Sequence, residues 1–79
     1  MSPEEARDLV AEVLAEVAPE ADLGAVGPGE TLQEALDLDS IDFLNFVTGL
    51  HQRTGREIPD RDYPGLATLE GCVAYLTRA

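Results

Sequence analysis

A chain of 79 residues holds one small domain, near the size at which a single hydrophobic core is only just sufficient, with little room for a deep catalytic cleft. The formal net charge is −11 and all five basic residues are arginine, which argues against nucleic acid, whose phosphates demand cationic surface, and for partners with basic surfaces. The single cysteine, Cys72, excludes an intrachain disulfide, and no segment has the plan of a signal peptide or the length of a membrane span, so a monomeric, cytoplasmic protein without membrane contact is expected.

Ser2-Pro3-Glu4-Glu5 has the form of a capping box with proline at the first helical position. Leu9, Val10, Val13, Leu14 and Val17 follow at helical spacing, which predicts a helix over residues 3–18. Pro19, Gly24, Gly27, Pro28 and Gly29 then open a connection that is long for so small a domain. A helical turn over residues 31–36 is expected inside it, with Leu32 and Leu36 as anchors to the core.

A second long helix is predicted over residues 40–54, closed by Gly55 where a positive φ is cheap for glycine. Phe43, Phe46, Val47, Leu50 and Thr54 form its core stripe, while Ile41, Asn45, Thr48 and Gln52 fall on the opposite, wet face. Asp60 is expected to cap a short turn reaching Tyr63 and ending at Pro64-Gly65. Thr68 then caps a last helix carrying Leu69, Cys72, Val73 and Leu76, in which Cys72 is a small core residue. Strand alternation and repeats are missing from the sequence. The fold class is therefore all-α, a small bundle of three main helices and a short one, with residues 1–79 forming a single domain.

The segment Leu36-Asp37-Leu38-Asp39-Ser40-Ile41-Asp42 sets a serine at the mouth of the second long helix among three aspartates. Asp and Ser both cap helices, so Asp39 or Ser40 could serve that end alone; Ser40 could instead carry a group. Catalysis by the chain itself is not expected. His51, the only histidine, would lie about 16 Å along the helix from Ser40, too far for a dyad, and a zinc site of His and Cys cannot be assembled. Asp37, Asp39 and Asp42 hint at a calcium loop, but Ile41, Asp42 and Thr48 stand where that loop needs other residues. A phosphate loop ending in lysine is excluded because the chain has no lysine.

From Asp39 through Leu76 the sequence resembles the acyl carrier protein family, the phosphopantetheine-binding acyl and peptidyl carriers. The likeness runs through Asp39-Ser40-Ile41-Asp42, Glu57-Ile58-Pro59-Asp60, Thr68-Leu69 and Ala74-Tyr75-Leu76, at the family's usual separations. The resemblance implies a four-helix carrier bundle and a covalent 4'-phosphopantetheine arm on Ser40, attached by a magnesium-dependent phosphopantetheinyl transferase. It also implies that cargo rides as a thioester and that the carrier itself catalyses nothing. Asp37, Asp39, Ile41, Asp42, Asn45 and Thr48 are the expected docking residues for acyl or aminoacyl ligases and synthases with basic surfaces. Phe43, Phe46, Val47 and Leu50 are the expected acyl-pocket or core residues.

Where fatty-acid carriers tend to place glutamates on the outer face of this helix, the chain has Asn45, Thr48, His51, Gln52 and Arg53. That departure favours a discrete carrier for a dedicated pathway, polyketide or other secondary-metabolite synthesis as well as fatty-acid synthesis. Bulky Phe43 at the head of the stripe predicts poor sequestration of long acyl chains. An aminoacyl or peptidyl carrier of the same fold is the alternative, and an unmodified acidic adaptor that docks through Ile41 is the reading from a different class.

Overall fold

The capping box of the N-terminal tetrapeptide starts the first helix, α1 (Pro3–Val17): Ser2 Oγ accepts the Glu5 amide at 3.2 Å and Glu5 Oε1 accepts the Ser2 amide at 3.1 Å. Those bonds from Ser2 hold the Glu5 carboxyl below its ordinary pKa. The helix stops where Pro19 forces Ala18 out of helical geometry. The computed structural model describes all residues except Pro28 and Ala79, so the sequence reading of Pro28 as a breaker lies outside the described residues.

The long connection is fastened rather than loose. Asp22 caps a single 3-10 turn at Leu23–Ala25, and Thr31 caps the short helix α2 (Leu32–Ala35). The Leu32 amide donates to the Ala67 carbonyl at 2.7 Å, Thr31 pairs with Thr68 in an isolated bridge, and the Gly29 amide donates to Glu70. Leu32 is fully buried and Leu36 is half-buried against the core, which makes both the anchors that their spacing predicts.

Two further helices, α3 (Ser40–Thr54) and α4 (Leu69–Thr77), both pack on α1, and the principal extents are 30 × 24 × 20 Å. Phe46, Val47 and Leu50 from α3 meet Ala6, Val10, Val13 and Leu14 from α1 and Leu69, Cys72 and Leu76 from α4 in one core. Gly55 ends α3 at φ +68, and its amide donates to the His51 carbonyl. Arg53 bridges to Glu12 at 2.9 Å and also to Glu16, tying α3 to α1 at the surface. Exposed pairs of this kind are worth about 0–1 kcal/mol each, so the apolar seam holds the bundle.

One expectation fails. The segment after Pro59 is a 3-10 helix over Asp60–Leu66 that runs on through Pro64 and Gly65, and Asp60 makes no capping bond. Proline's fixed φ suits such a turn, the Pro64 carbonyl accepts the Ala67 amide, and the fully buried Leu66 draws the segment onward into the core. The bundle therefore consists of α1, α3, α4 and this short helix, with α2 as a turn.

Gly71, inside α4, is explained by the same segment: a Cβ there would fall on the Gly65 carbonyl oxygen, deep inside van der Waals contact. Gly71→Ala gains about 1 kcal/mol of helix propensity. It must also push α4 off the 3-10 helix, and overpacking of this kind costs about 1–3 kcal/mol or more. A net loss of stability is expected, read as a lower urea midpoint; an unchanged or raised midpoint would show that the contact relaxes freely.

Cys72 is fully buried, and its Sγ donates to the Leu66 carbonyl at 3.3 Å. Burial pushes the thiol up to about 12 from 9.0. Above pH 9 the unfolded thiol loses its proton while the native one keeps it, so stability falls between pH 9 and about 12. Cys72→Ala is expected to lack that slope in urea titrations. In the native protein at pH 8 Cys72 should resist a disulfide reagent, so any fast-reacting thiol in a modified sample belongs to an attached group.

Candidate functional site

Asp39 and Asp42 settle between them which residue caps α3. Asp39 Oδ1 accepts the Asp42 amide at 2.7 Å, and Asp42 Oδ2 accepts the Asp39 amide at 3.3 Å, a reciprocal capping box with aspartate at both positions. Ser40 is thereby the first helical residue. It is exposed, and its hydroxyl has no hydrogen-bond partner among the described residues. The amides of Ser40 and Ile41, which precede the first intrahelical bond from Phe43 to the Asp39 carbonyl, have no acceptor among the described residues either. The capping role and the free hydroxyl thus fall on different residues.

The approach to Ser40 is held by backbone geometry. Asp37 sits at φ +55, the left-handed residue after α2, and the Leu38 amide returns to the Gln33 carbonyl at 2.9 Å. This is one of the bonds of a Schellman ending, with aspartate where glycine is usual. Leu38 is buried and pins the turn, while Asp37 remains exposed.

The other predicted residues divide by face. Ile41 is 70% exposed, and Asn45 and Thr48 are exposed, with the Thr48 hydroxyl donating to the Leu44 carbonyl. Asp42 is half-buried and engaged in the capping box. Phe46, Val47 and Leu50 are buried, whereas Phe43 is half-buried, its ring 6.2 Å from Phe46 and 6.4 Å, edge-on, from Tyr63. Leu44 escaped the sequence reading: it is 50% exposed and extends the apolar surface begun by Ile41. Its position three residues after Ile41 and four before Thr48 carried that signal.

His51 lies near the far end of α3 with its Nδ1 2.7 Å from the Arg56 carbonyl. It does not stand by Ser40, whose neighbouring carboxylates, Asp39 and Asp42, are engaged with each other's amides in the capping box. Groups of three or more potential metal ligands are not found among the described residues.

Residues 4–76 match the family described as "Phosphopantetheine attachment site". The chain belongs to the acyl carrier protein family. Similar members include an acyl carrier protein of Campylobacter hominis, 37% identical over 73 residues that make up 92% of this chain and 86% of the relative. Another, from Acidothermus cellulolyticus, is 32% identical over 81 aligned positions spanning all of this chain and 93% of the relative. Acyl carrier proteins hold their cargo on phosphopantetheine and are carriers, not catalysts. The residues present fit that group: an exposed hydroxyl without a partner stands beside two free amides at a helix N-terminus, where a phosphate is favoured. No helix among the described residues is long and apolar enough to cross a membrane.

Proposed function

We propose that Ser40 is the attachment serine and that the chain is a discrete acyl carrier serving a dedicated pathway. The observation that carries this reading is the division of labour between Asp39, which caps α3, and Ser40, whose hydroxyl is left exposed and unbonded. Ser40 Oγ attacks the pantetheine-bearing phosphorus of coenzyme A, a P–O bond to serine forms, and the phosphoanhydride bond breaks to release adenosine 3',5'-bisphosphate. The serine proton leaves to a base of the transferase, and the metal comes with the transferase. When bound, the arm supplies a terminal thiol that holds acyl groups as thioesters. The free amides of Ser40 and Ile41 favour the anionic phosphodiester, and Asp39 and Asp42 hold the helix end rigid beneath it.

Asp37 and Asp39 at the top of α3, with Ile41 and Leu44 as the apolar contact and Asn45 and Thr48 at its edge, form the surface offered to enzymes with basic docking sites. Such surfaces favour fast, salt-sensitive encounters over tight ones. A cytoplasmic setting, where coenzyme A is available, goes with this reading. The experiment is intact-protein mass after incubation with coenzyme A, magnesium and a broad-specificity phosphopantetheinyl transferase. A gain of one phosphopantetheinyl unit is expected. A folded, initially unmodified protein that gains nothing with two different transferases would sink the proposal.

A further inference from the structure

The five arginines of this acidic chain divide by what they hold. Arg53 is spent on Glu12 and Glu16, and Arg56 donates to the carbonyls of Tyr75 and Arg78 at 2.9 and 3.2 Å, closing the C-terminal end of α4. Arg7, Arg61 and Arg78 remain. All three are exposed, and their guanidinium groups make no ion pair or hydrogen bond among the described residues.

These three rim one face, the outer side of α4. Towards α1 runs a groove of about 300 Å³ whose walls, Pro3, Leu69, Val73 and Ala74, are apolar apart from Arg7 and Glu70. Towards the 3-10 helix lies another of about 250 Å³ over Gly65 and Gly71, walled by Tyr75 and rimmed by Arg61 and Arg78. Exposed Ala74 belongs to both, so the grooves form one surface with a low methyl ridge between them. The Arg78 guanidinium stands 5.8 Å over the Tyr75 ring, which holds its charge at the edge of the groove.

The charge of this face is the reverse of the chain's. The only acids lining it are Glu70, which accepts the Gly29 amide at 3.3 Å, and Asp62, which accepts the Tyr75 hydroxyl at 2.9 Å. Glu4, Asp8 and Asp60 neighbour the arginines in sequence but line neither groove. Three arginines against two carboxylates leave the lining at a net charge of +1 on a chain of −11. An apolar centre with a basic rim fits a segment of the opposite pattern, apolar side chains flanked by carboxylates, because planar guanidinium groups pair with carboxylates while the grooves take up apolar surface. The overall charge repels such a segment at a distance, but at about 0.15 M salt charges beyond about 8 Å are screened and the local face decides.

We infer that this face of α4 docks an acidic, partly apolar segment of a protein partner. It shares no residue with Ser40 or with the surface around Ile41 and Leu44, which makes it a second docking surface rather than an extension of the first. It stands whatever Ser40 carries.

The probe is a short capped peptide of glutamate and leucine, titrated at about 0.15 M salt into the isotope-labelled full chain while backbone amide shifts are followed. Peptides of lysine and leucine and of glutamate and serine are the comparisons. The glutamate-leucine peptide is expected to move the amides of Arg7, Gly65, Gly71, Ala74 and Arg78 saturably and to leave those of Ser40, Ile41 and Leu44 in place; the glutamate-serine peptide should bind more weakly. Arg61→Gln combined with Arg78→Gln should weaken binding about three- to tenfold, as the loss of two exposed ion pairs predicts. Ala74→Glu, which raises a charged side chain on the ridge, should remove the shifts. All three positions are exposed, so the urea midpoints of these variants should match the native one. Undiminished binding by either variant, a lysine-leucine peptide that moves the same amides, or no saturable shift there would overturn the inference. Equal binding of the glutamate-serine peptide would overturn its apolar half. Shifts of these amides that grow with the protein's own concentration would give the face to a second copy of this chain and overturn the acidic partner.

Discussion

Ser40→Ala is expected to abolish phosphopantetheine attachment completely while changing stability by no more than about 0.5 kcal/mol. The reason is local. The residue stands at the first position of α3, exposed, with its hydroxyl unbonded, and alanine there has if anything the better helix propensity. Asp39→Ala should act differently: the α3 capping box is lost at a cost of about 0.5–2 kcal/mol, and the protein that remains folded still gains the arm, but more slowly, because Asp39 also belongs to the surface offered to the transferase. Urea midpoints paired with intact mass separate the two effects. A Ser40→Ala protein that still took up phosphopantetheine would place the attachment elsewhere, and one that lost more than about 1 kcal/mol would show the serine acting as the cap. The unmodified adaptor makes the opposite forecast, since a protein that docks through Ile41 alone should be indifferent to the loss of Ser40.

This separation was half legible in the sequence. Asp39-Ser40 reads as two capping candidates in a row, and only the backbone decides between them: Asp39 is extended at φ −85 and ψ −179, as a cap must be, and Ser40 is already helical. The three long helices were legible throughout, because Ser2, Thr68 and Gly55 are strong end signals and the apolar spacing between them is regular. The segment around Pro64 was not, since a Pro-Gly pair ends a helix on local preference and here a buried leucine two residues on outweighs it. Asp37 shows the same limit. Its charge was visible and was read as a docking feature, whereas its left-handed conformation depends on the Leu38 to Gln33 bond, which has no composition signature.

The largest loss of stability is expected at Phe46. It heads the fully buried side chains by volume, at 0% exposure, and joins α3 to the core while supporting the Phe43 ring. Replacing a buried phenylalanine by alanine costs about 3–5 kcal/mol, part lost transfer energy and part the cavity left behind. A 79-residue domain has roughly 4–12 kcal/mol in all, so Phe46→Ala should remove about a quarter or more of it and at the low end leave much of the protein unfolded. Thermal and urea denaturation read the loss directly; a cost below about 1 kcal/mol would mean that the core refills the space and is not closed as packed. The cavity also gives the closed core a positive control. An apolar void lined by leucine, valine and aromatic side chains stays dry and accepts apolar guests. An octanoyl group on the arm should therefore raise the melting temperature of Phe46→Ala while leaving that of the native protein nearly unchanged. Equal stabilisation of both would show that the native bundle already opens to long chains. Stabilisation of the variant alone would place Phe43, Phe46 and Tyr63 as the barrier that keeps them out.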